Sequence, residues 1–262
     1  MADRAQFFLL GTSSARPMAK RDNTSLLVRL GGELTLIDCS ASPMQKILRL
    51  GLDPVDLKRV IVTHAHTDHV YGFPSLLHSL WTYRPERREP LWVLAPPESC
   101  TLLEELARLF DFRRDQKLPF ELRIEELDLR EKRLAVEAET YGITVSPVSH
   151  GDAEVVALRF EDSSGRSLAY SADTAPCKSL VRLALEADTL VMEATRAPGE
   201  DLRGHSSGEE AGEIAARARA KRLILVHIAA KTPDEEKSLL QRAQKTFGPG
   251  VEIGREMVPY DL

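Results

Sequence analysis

Apolar positions along the first forty residues fall in short runs broken by glycine, serine and proline, which is the pattern of strands. Runs at 5–10, 24–30 and 34–37 predict three strands, with Gly31-Gly32 as the turn between the last two. The period then changes. Ser42, Pro43 and Gln45 stand where a helix cap, a first-turn proline and a third-position glutamine belong, Met44, Ile47 and Leu48 form an apolar stripe, and Gly51 predicts the stop. The β-branched run Val60, Ile61, Val62, Thr63 predicts a buried strand. Beyond it 73–81 predicts a helix, 91–95 a strand and 98–110 a second helix. Alternation returns at 120–148, predicting strands at 122–127, 134–140 and 143–148, and a pair at 154–161 and 167–171 turns on Ser163-Ser164-Gly165. From Pro176 the pattern is helix, strand (189–192), helix, strand (223–226), helix. No linker or repeat interrupts it. The expectation is a single α/β domain over 1–262, two mixed β-sheets with helices outside.

The strand at 60–63 delivers the chain into His64, His66, Asp68 and His69, so four metal-competent side chains fall within six residues. A histidine-rich turn can be a solvated surface feature, and a metal reading needs further ligands from elsewhere in the chain. Three strand exits supply them. The strand at 143–148 runs on to His150, that at 167–171 to Asp173, and that at 223–226 to His227. Groups at such exits are fixed by the sheet and left open by the loop. The count gives His64, His66 and His150 to one ion, Asp68, His69 and His227 to a second, and Asp173 as a bridge. Nitrogen-rich, carboxylate-bridged donors suit two zinc ions, and manganese or iron accept the same set. Of the seven histidines, only His78 and His205 lie outside it. His78 reads as structural, within its helix.

These motifs resemble the metallo-β-lactamase superfamily, and more narrowly its ribonuclease Z-like branch. HAHTDH with His150, Asp173 and His227 carries the broader likeness. The narrower one rests on LGTSSARPMAKRDNTSLLVRL, IDCSASPMQKIL, VMEAT, GHSSGEEAGEIA and LILVHI, which follow the branch in kind and order. The resemblance implies a four-layer αββα sandwich with the dinuclear site at one edge. It also implies that Glu193 orients His205, and that His205 donates a proton to the leaving oxygen or binds a phosphate oxygen. Ser206 and Glu209 predict a capping box just after His205, placing a helix N-terminus near an anionic substrate. A homodimer is the assembly common in this branch. Departures bear on the substrate, one of them Ser40-Ala41-Ser42 after Asp38-Cys39 where the branch has a glycine-rich loop. Only 22 residues separate His150 from Asp173, where long-arm members carry a tRNA-grasping insertion, and IAAKTP follows His227 where an arginine is typical, Lys231 standing in. Full-length tRNA is therefore disfavoured, and the metal site is untouched.

Composition narrows the rest. A net charge of −5 argues against a broad basic nucleic-acid surface. Local clusters at Arg16, Lys20, Arg21 and at Arg84, Arg87, Arg88 read as solvated loops. Three cysteines (Cys39, Cys100, Cys177) without CxxC spacing read as buried thiols. The N-terminus lacks a signal-peptide core and no span is predicted, so the expected location is cytoplasmic. Two metals about 3.5–4 Å apart activate a shared water and clamp the oxygens of an in-line displacement. The expected function is a dinuclear-metal phosphodiesterase on a small, cyclic or RNA-derived phosphodiester, by attack of a metal-bridging hydroxide with Asp68 orienting it. A lactonase, thioesterase or β-lactamase-like hydrolase could use the same site. A non-catalytic RNA-binding module would be missing ligands, and none is missing.

Overall fold

The computed structural model describes residues 5–83, 89–114, 117–197, 199–200 and 202–262. The chain folds as two compact units, one of 1–11, 23–127 and 256–261, the other of 12–22, 128–255 and 262. The expected basic cluster at Arg84, Arg87 and Arg88 lies outside the described residues.

The first unit holds strands β1 (Gln6–Gly11), β2 (Ser25–Leu30), β3 (Glu33–Ile37), β4 (Leu57–Ile61), β5 (Leu91–Ala95), β6 (Leu122–Glu126) and β14 (Pro259–Asp261). Their sheet order is β14-β1-β2-β3-β4-β5-β6. β14 to β3 pair antiparallel, and β3 to β6 parallel. Gly31 and Gly32, with φ of 56° and 77°, make the tight β2–β3 turn in a left-handed conformation that suits residues without a Cβ. Helices α1 (Pro43–Arg49), α3 (Phe73–Tyr83) and α4 (Pro97–Leu109) belong to this unit, as does the short α2 (Thr67–Val70). In α3 the buried residues are Phe73, Leu76, Leu77 and Leu80, spaced i, i+3, i+4, i+7 as an amphipathic face requires. They share a core cluster with Val60, Val62, Ile47 and Leu103. The β4 strand is thereby clamped just where it delivers the metal motif.

The second unit repeats the plan. Its strands are β7 (Arg133–Glu137), β8 (Tyr141–Pro147), β9 (Val156–Asp162), β10 (Ser167–Tyr170), β11 (Thr189–Glu193), β12 (Leu223–Val226) and β13 (Val251–Ile253). Their order is β13-β12-β11-β10-β9-β8-β7. β7 to β10 pair antiparallel, and β10 to β13 parallel. Helices α5 (Lys178–Leu183), α6 (Gly208–Ala218) and α7 (Pro233–Phe247) pack through Leu180, Ile214, Ala215, Leu239 and Ala243 onto Leu190, Met192, Leu223 and Leu225. Both sheets are mixed and carry helices, as expected.

Local differences from the sequence reading have physical causes. Ser42 sits at the cap position of α1 but its side chain makes no capping bond. The capping box of α6 is Ser207 with Glu210, one residue beyond the expected Ser206 and Glu209. Ser206 Oγ instead donates to Thr174 O at 2.7 Å. Strands β13 and β14, three residues each, were too short to show a period. Cys39 and Cys100 are buried as expected, whereas Cys177 is half-buried.

Candidate metal centre

In the first unit the donors are built on two adjacent parallel strands. β3 ends at Ile37 and Asp38 follows with φ 60°, a left-handed turn that brings its carboxylate back under the β4 exit. Asp38 is fully buried. Its Oδ1 accepts from Thr63 N at 2.7 Å and Thr63 Oγ1 at 2.9 Å, and its Oδ2 lies 2.8 Å from His69 Nδ1. Thr63 Oγ1 in turn lies 3.0 Å from His64 Nδ1. With Thr63 donating to Asp38, its oxygen accepts from His64, so both rings carry their proton on Nδ1 and turn an Nε2 lone pair to chemistry. The His64 ring lies 4.1 Å from that of His69 and 4.6 Å from that of His66, and Asp68 Oδ2 lies 3.4 Å from His69 Nε2. His66 is exposed and His69 buried. Electron-pair donors gathered this closely repel one another unless they share a cation.

The loop is stitched in place by backbone bonds from Cys39 N to His69 O at 2.7 Å and from Gly72 N to Cys39 O at 2.8 Å. A Cβ on Gly72 would lie 2.6 Å from Ala41 O and 2.7 Å from Cys39 O, so only glycine permits this approach.

In the second unit the donors also leave parallel or central strands. His150, 5 % exposed, has Nδ1 2.6 Å from Gly204 O. Asp173 follows Ala172, whose φ is 53°, and His227 itself has φ 51°. Non-glycine residues held in this region cost free energy and cluster at functional sites. Thr195 Oγ1 lies 2.7 Å from His227 Nδ1 and donates to His227 O at 2.6 Å, clamping ring and backbone together. His227 Nε2 lies 3.3 Å from Asp173 Oδ2. Asp173, His205 and His227 each bring one donor atom to within 4.8 Å of the others.

Glu193 ends β11 fully buried. Its Oε1 accepts from Thr174 N at 3.0 Å and Ser206 N at 3.1 Å, its Oε2 from Thr195 N at 3.0 Å, and Oε1 lies 2.9 Å from His205 Nδ1. His205 is 14 % exposed at its side chain, its ring 4.6 Å from that of His150 and 5.7 Å from that of His227. A rigidly held carboxylate thus fixes one nitrogen of a solvent-reachable imidazole beside metal-competent donors.

His64, His66, Asp68 and His69 come together in one unit, and His150, Asp173, His205, His227 and Glu193 in the other. His78 is exposed on α3, its ring 5.5 Å from that of Trp81. The orienting roles of Asp38, Thr63, Thr195 and Gly204 were not foreseen. Thr63 immediately before His64 and Thr195 two residues after Glu193 were the available signal. Arg21 of the first basic cluster is structural, its guanidinium bonding Thr12 Oγ1 at 2.8 Å, Gly254 O at 3.1 Å and Glu236 Oε1 at 3.1 Å. The donor set, imidazoles oriented through Nδ1 plus carboxylates, fits divalent metal.

Comparison with known proteins places this chemistry. The family described as "Beta-lactamase superfamily domain" matches residues 35–228. A protein named Ribonuclease Z from Methanothermobacter thermautotrophicus is 28% identical over 304 residues, covering 97% of this chain and 95% of that protein. One of the same name from Bacillus licheniformis is 30% identical over 276 residues, covering 88% and 90%. Among solved structures, the metallo-beta-lactamase fold protein YhfI from Bacillus subtilis superposes with a TM-score of 0.80 at 22% identity, covering 99% of each chain, which establishes the fold.

Proposed function

Because the chain belongs to the beta-lactamase superfamily, in its ribonuclease Z-like branch, we propose that it is a metal-dependent phosphodiesterase acting on a small, cyclic or RNA-derived phosphodiester. The observation that carries this reading is the His205–Glu193 pair, 2.9 Å apart beside Asp173 and His227. The relatives' name, Ribonuclease Z, supports an RNA-derived substrate. The whole chain, 1–262, acts in this reading as one hydrolase domain, the family match running through both units.

In this proposal His64, His66 and His150 would hold one divalent ion, Asp68, His69 and His227 a second, and Asp173 both, with zinc the metal that the imidazole-rich donors favour. Such ions, when bound, lower the pKa of water and neutralise charge on the attacking and leaving oxygens of an in-line displacement. The chain's own residues do the rest. Asp38 and Thr63 fix the rings of His69 and His64, and Thr195 and the Gly204 carbonyl fix those of His227 and His150. Asp68 accepts a hydrogen bond from the attacking water and so aims its oxygen at phosphorus. His205, its Nδ1–H held by Glu193, carries a proton on Nε2 and delivers it to the departing alkoxide as the P–O bond breaks. Three backbone N–H groups hold Glu193 still, so the geometry is set before substrate arrives.

A lactone or thioester hydrolase would need the donors but not the buried Glu193 behind His205. The test pairs metal analysis with turnover of bis-p-nitrophenyl phosphate against lactone and thioester panels. Phosphodiester turnover dependent on bound metal is expected; lactone or thioester turnover alone would refute the reading. No helix among the described residues is long and apolar enough to cross a membrane, and we assign the enzyme to the cytoplasm, where RNA-derived substrates are met.

A further inference from the structure

The second unit contains a cavity of about 440 Å³ that the phosphodiesterase reading leaves unused, within the span of roughly 300–1,000 Å³ typical of small-molecule sites. Its walls are the loop after β11 (Thr195, Arg196), the loop after β12 (Lys231) and helix α7 (Glu235, Ser238, Arg242). A neighbouring cavity, also of about 440 Å³, shares Arg196 and Arg242. Both arginines therefore border both spaces.

Arg242 is the informative residue. Its Nη1 donates to Ser238 Oγ at 2.7 Å, while its buried Nε has no hydrogen-bond partner. Leaving a buried neutral donor unsatisfied costs about 1–3 kcal/mol and a charged one more, so native folds supply such groups with water or an ion. The lining has three cations (Arg196, Lys231, Arg242) against two carboxylates (Glu200, Glu235). Each carboxylate has an oxygen spent on a nearby backbone N–H, Glu200 accepting from Ala197 N at 3.1 Å and Glu235 from Lys231 N at 2.5 Å. Arg196 pairs with Glu210 on the other side, both side chains 27% exposed. A planar guanidinium fork matches phosphate geometry. The cavity also adjoins the catalytic machinery: Thr195, which clamps His227, lines it, and Arg196 N donates to Ser206 O at 3.0 Å, next to His205.

We propose that this cavity is a second anion site, which binds the phosphate group of a nucleotide-sized ligand against Arg242 and Arg196. That phosphate belongs either to a free nucleotide or to the substrate, flanking the scissile bond. The second source rests on the phosphodiesterase reading; the first does not.

The experiment titrates the metal-loaded full chain with AMP by calorimetry, in wild type, Arg242→Ala and Arg196→Ala. In parallel it measures turnover of bis-p-nitrophenyl phosphate and of the p-nitrophenyl ester of thymidine 5′-monophosphate with and without a 3′-phosphate. Either variant should weaken AMP binding about tenfold, the loss of one charge-assisted contact, with kcat and KM for bis-p-nitrophenyl phosphate unchanged. A flanking-phosphate source adds a KM advantage for the 3′-phosphorylated ester that both variants lose; a free-nucleotide source adds none. AMP binding and 3′-phosphate preference that ignore both substitutions, in variants with wild-type Tm, would overturn the site. Failure to turn over any phosphodiester while AMP still binds through Arg242 would instead sink the phosphodiesterase reading alone.

Discussion

At His205 one ring nitrogen is committed, because Nδ1 lies 2.9 Å from a carboxylate that three backbone N–H groups hold rigid. Replacing the ring by alanine removes the proton donor and leaves in place the hydrogen bonds that orient His150 and His227. His205→Ala should lower kcat on bis-p-nitrophenyl phosphate by roughly 10²–10⁴-fold, with the metal-to-protein ratio unchanged by elemental analysis. Unchanged turnover would remove His205 from the mechanism, and lost metal would make it a ligand instead. Thr195 acts one step further out, since its oxygen holds both the ring and the carbonyl of His227. Thr195→Val keeps the volume and loses the hydroxyl, and should weaken metal binding by roughly 10–100-fold in competition with a chelator, with Thr195→Ser restoring it. The thiols give a further readout. Burial, with Glu126 nearby, pushes the Cys100 thiol up to about 11, and burial beside Asp38 pushes Cys39 higher still. Only thiolate reacts, so at pH 8 Cys100 exposes about one part in a thousand of the reactive form. Native-state alkylation followed by mass spectrometry should mark Cys177 alone.

At the scale of elements, the metal motif depends on how closely α2 and the start of α3 approach the loop after β3. A Cβ at Gly72 would sit 2.6–2.7 Å from two backbone carbonyl oxygens that cannot swing away. Gly72→Ala should cost about 1–3 kcal/mol of stability in denaturant and reduce the bound metal, because the same loop holds the His69 carbonyl through Cys39 N. Loss of stability with full metal content would separate the two effects and refute the link. The elements that carry donors were legible in the sequence because β4, β10 and β12 are β-branched or apolar runs that lead into a metal-competent side chain. What surrounds them was not. Asp38, Thr63 and Thr195 act through contacts between strand exits that are neighbours in the sheet and distant in the chain, and Gly204 reaches His150 from the loop before α6. The capping box shifted because Ser206–Glu209 and Ser207–Glu210 both satisfy the S-x-x-E pattern, and only the backbone turn decides between them. β14 escaped notice because three residues are held by pairing to β1, not by their own periodicity.

For the whole molecule, the question is how a chain with a net charge of −5 handles a nucleic-acid-derived substrate. Between His150 and Asp173 the chain forms only β9, a turn and β10, a plain hairpin with no room for a grasping arm. Binding of long RNA draws on many neutralised phosphates, and contacts to 6–10 of them lose roughly 10³–10⁵ in affinity between 50 and 200 mM salt. A site that engages one or two phosphates obeys the same law with a small exponent. The kcat/KM for a minimal phosphodiester should therefore fall less than about tenfold over that range. Removing metal acts on the same molecule from the other side. An ion that binds only the folded chain adds about 2.7 kcal/mol when present at a hundred times its Kd, and its loss leaves clustered donors to repel one another. Chelator-treated protein should melt several degrees lower and recover with zinc. The decisive comparison is between substrates: full-length precursor tRNA should be cleaved far less efficiently than the minimal diester, with binding that vanishes at moderate salt. Efficient tRNA cleavage with a steep salt slope would mean that surfaces other than the hairpin replace the arm, and the small-substrate assignment would fall while the metal chemistry stood.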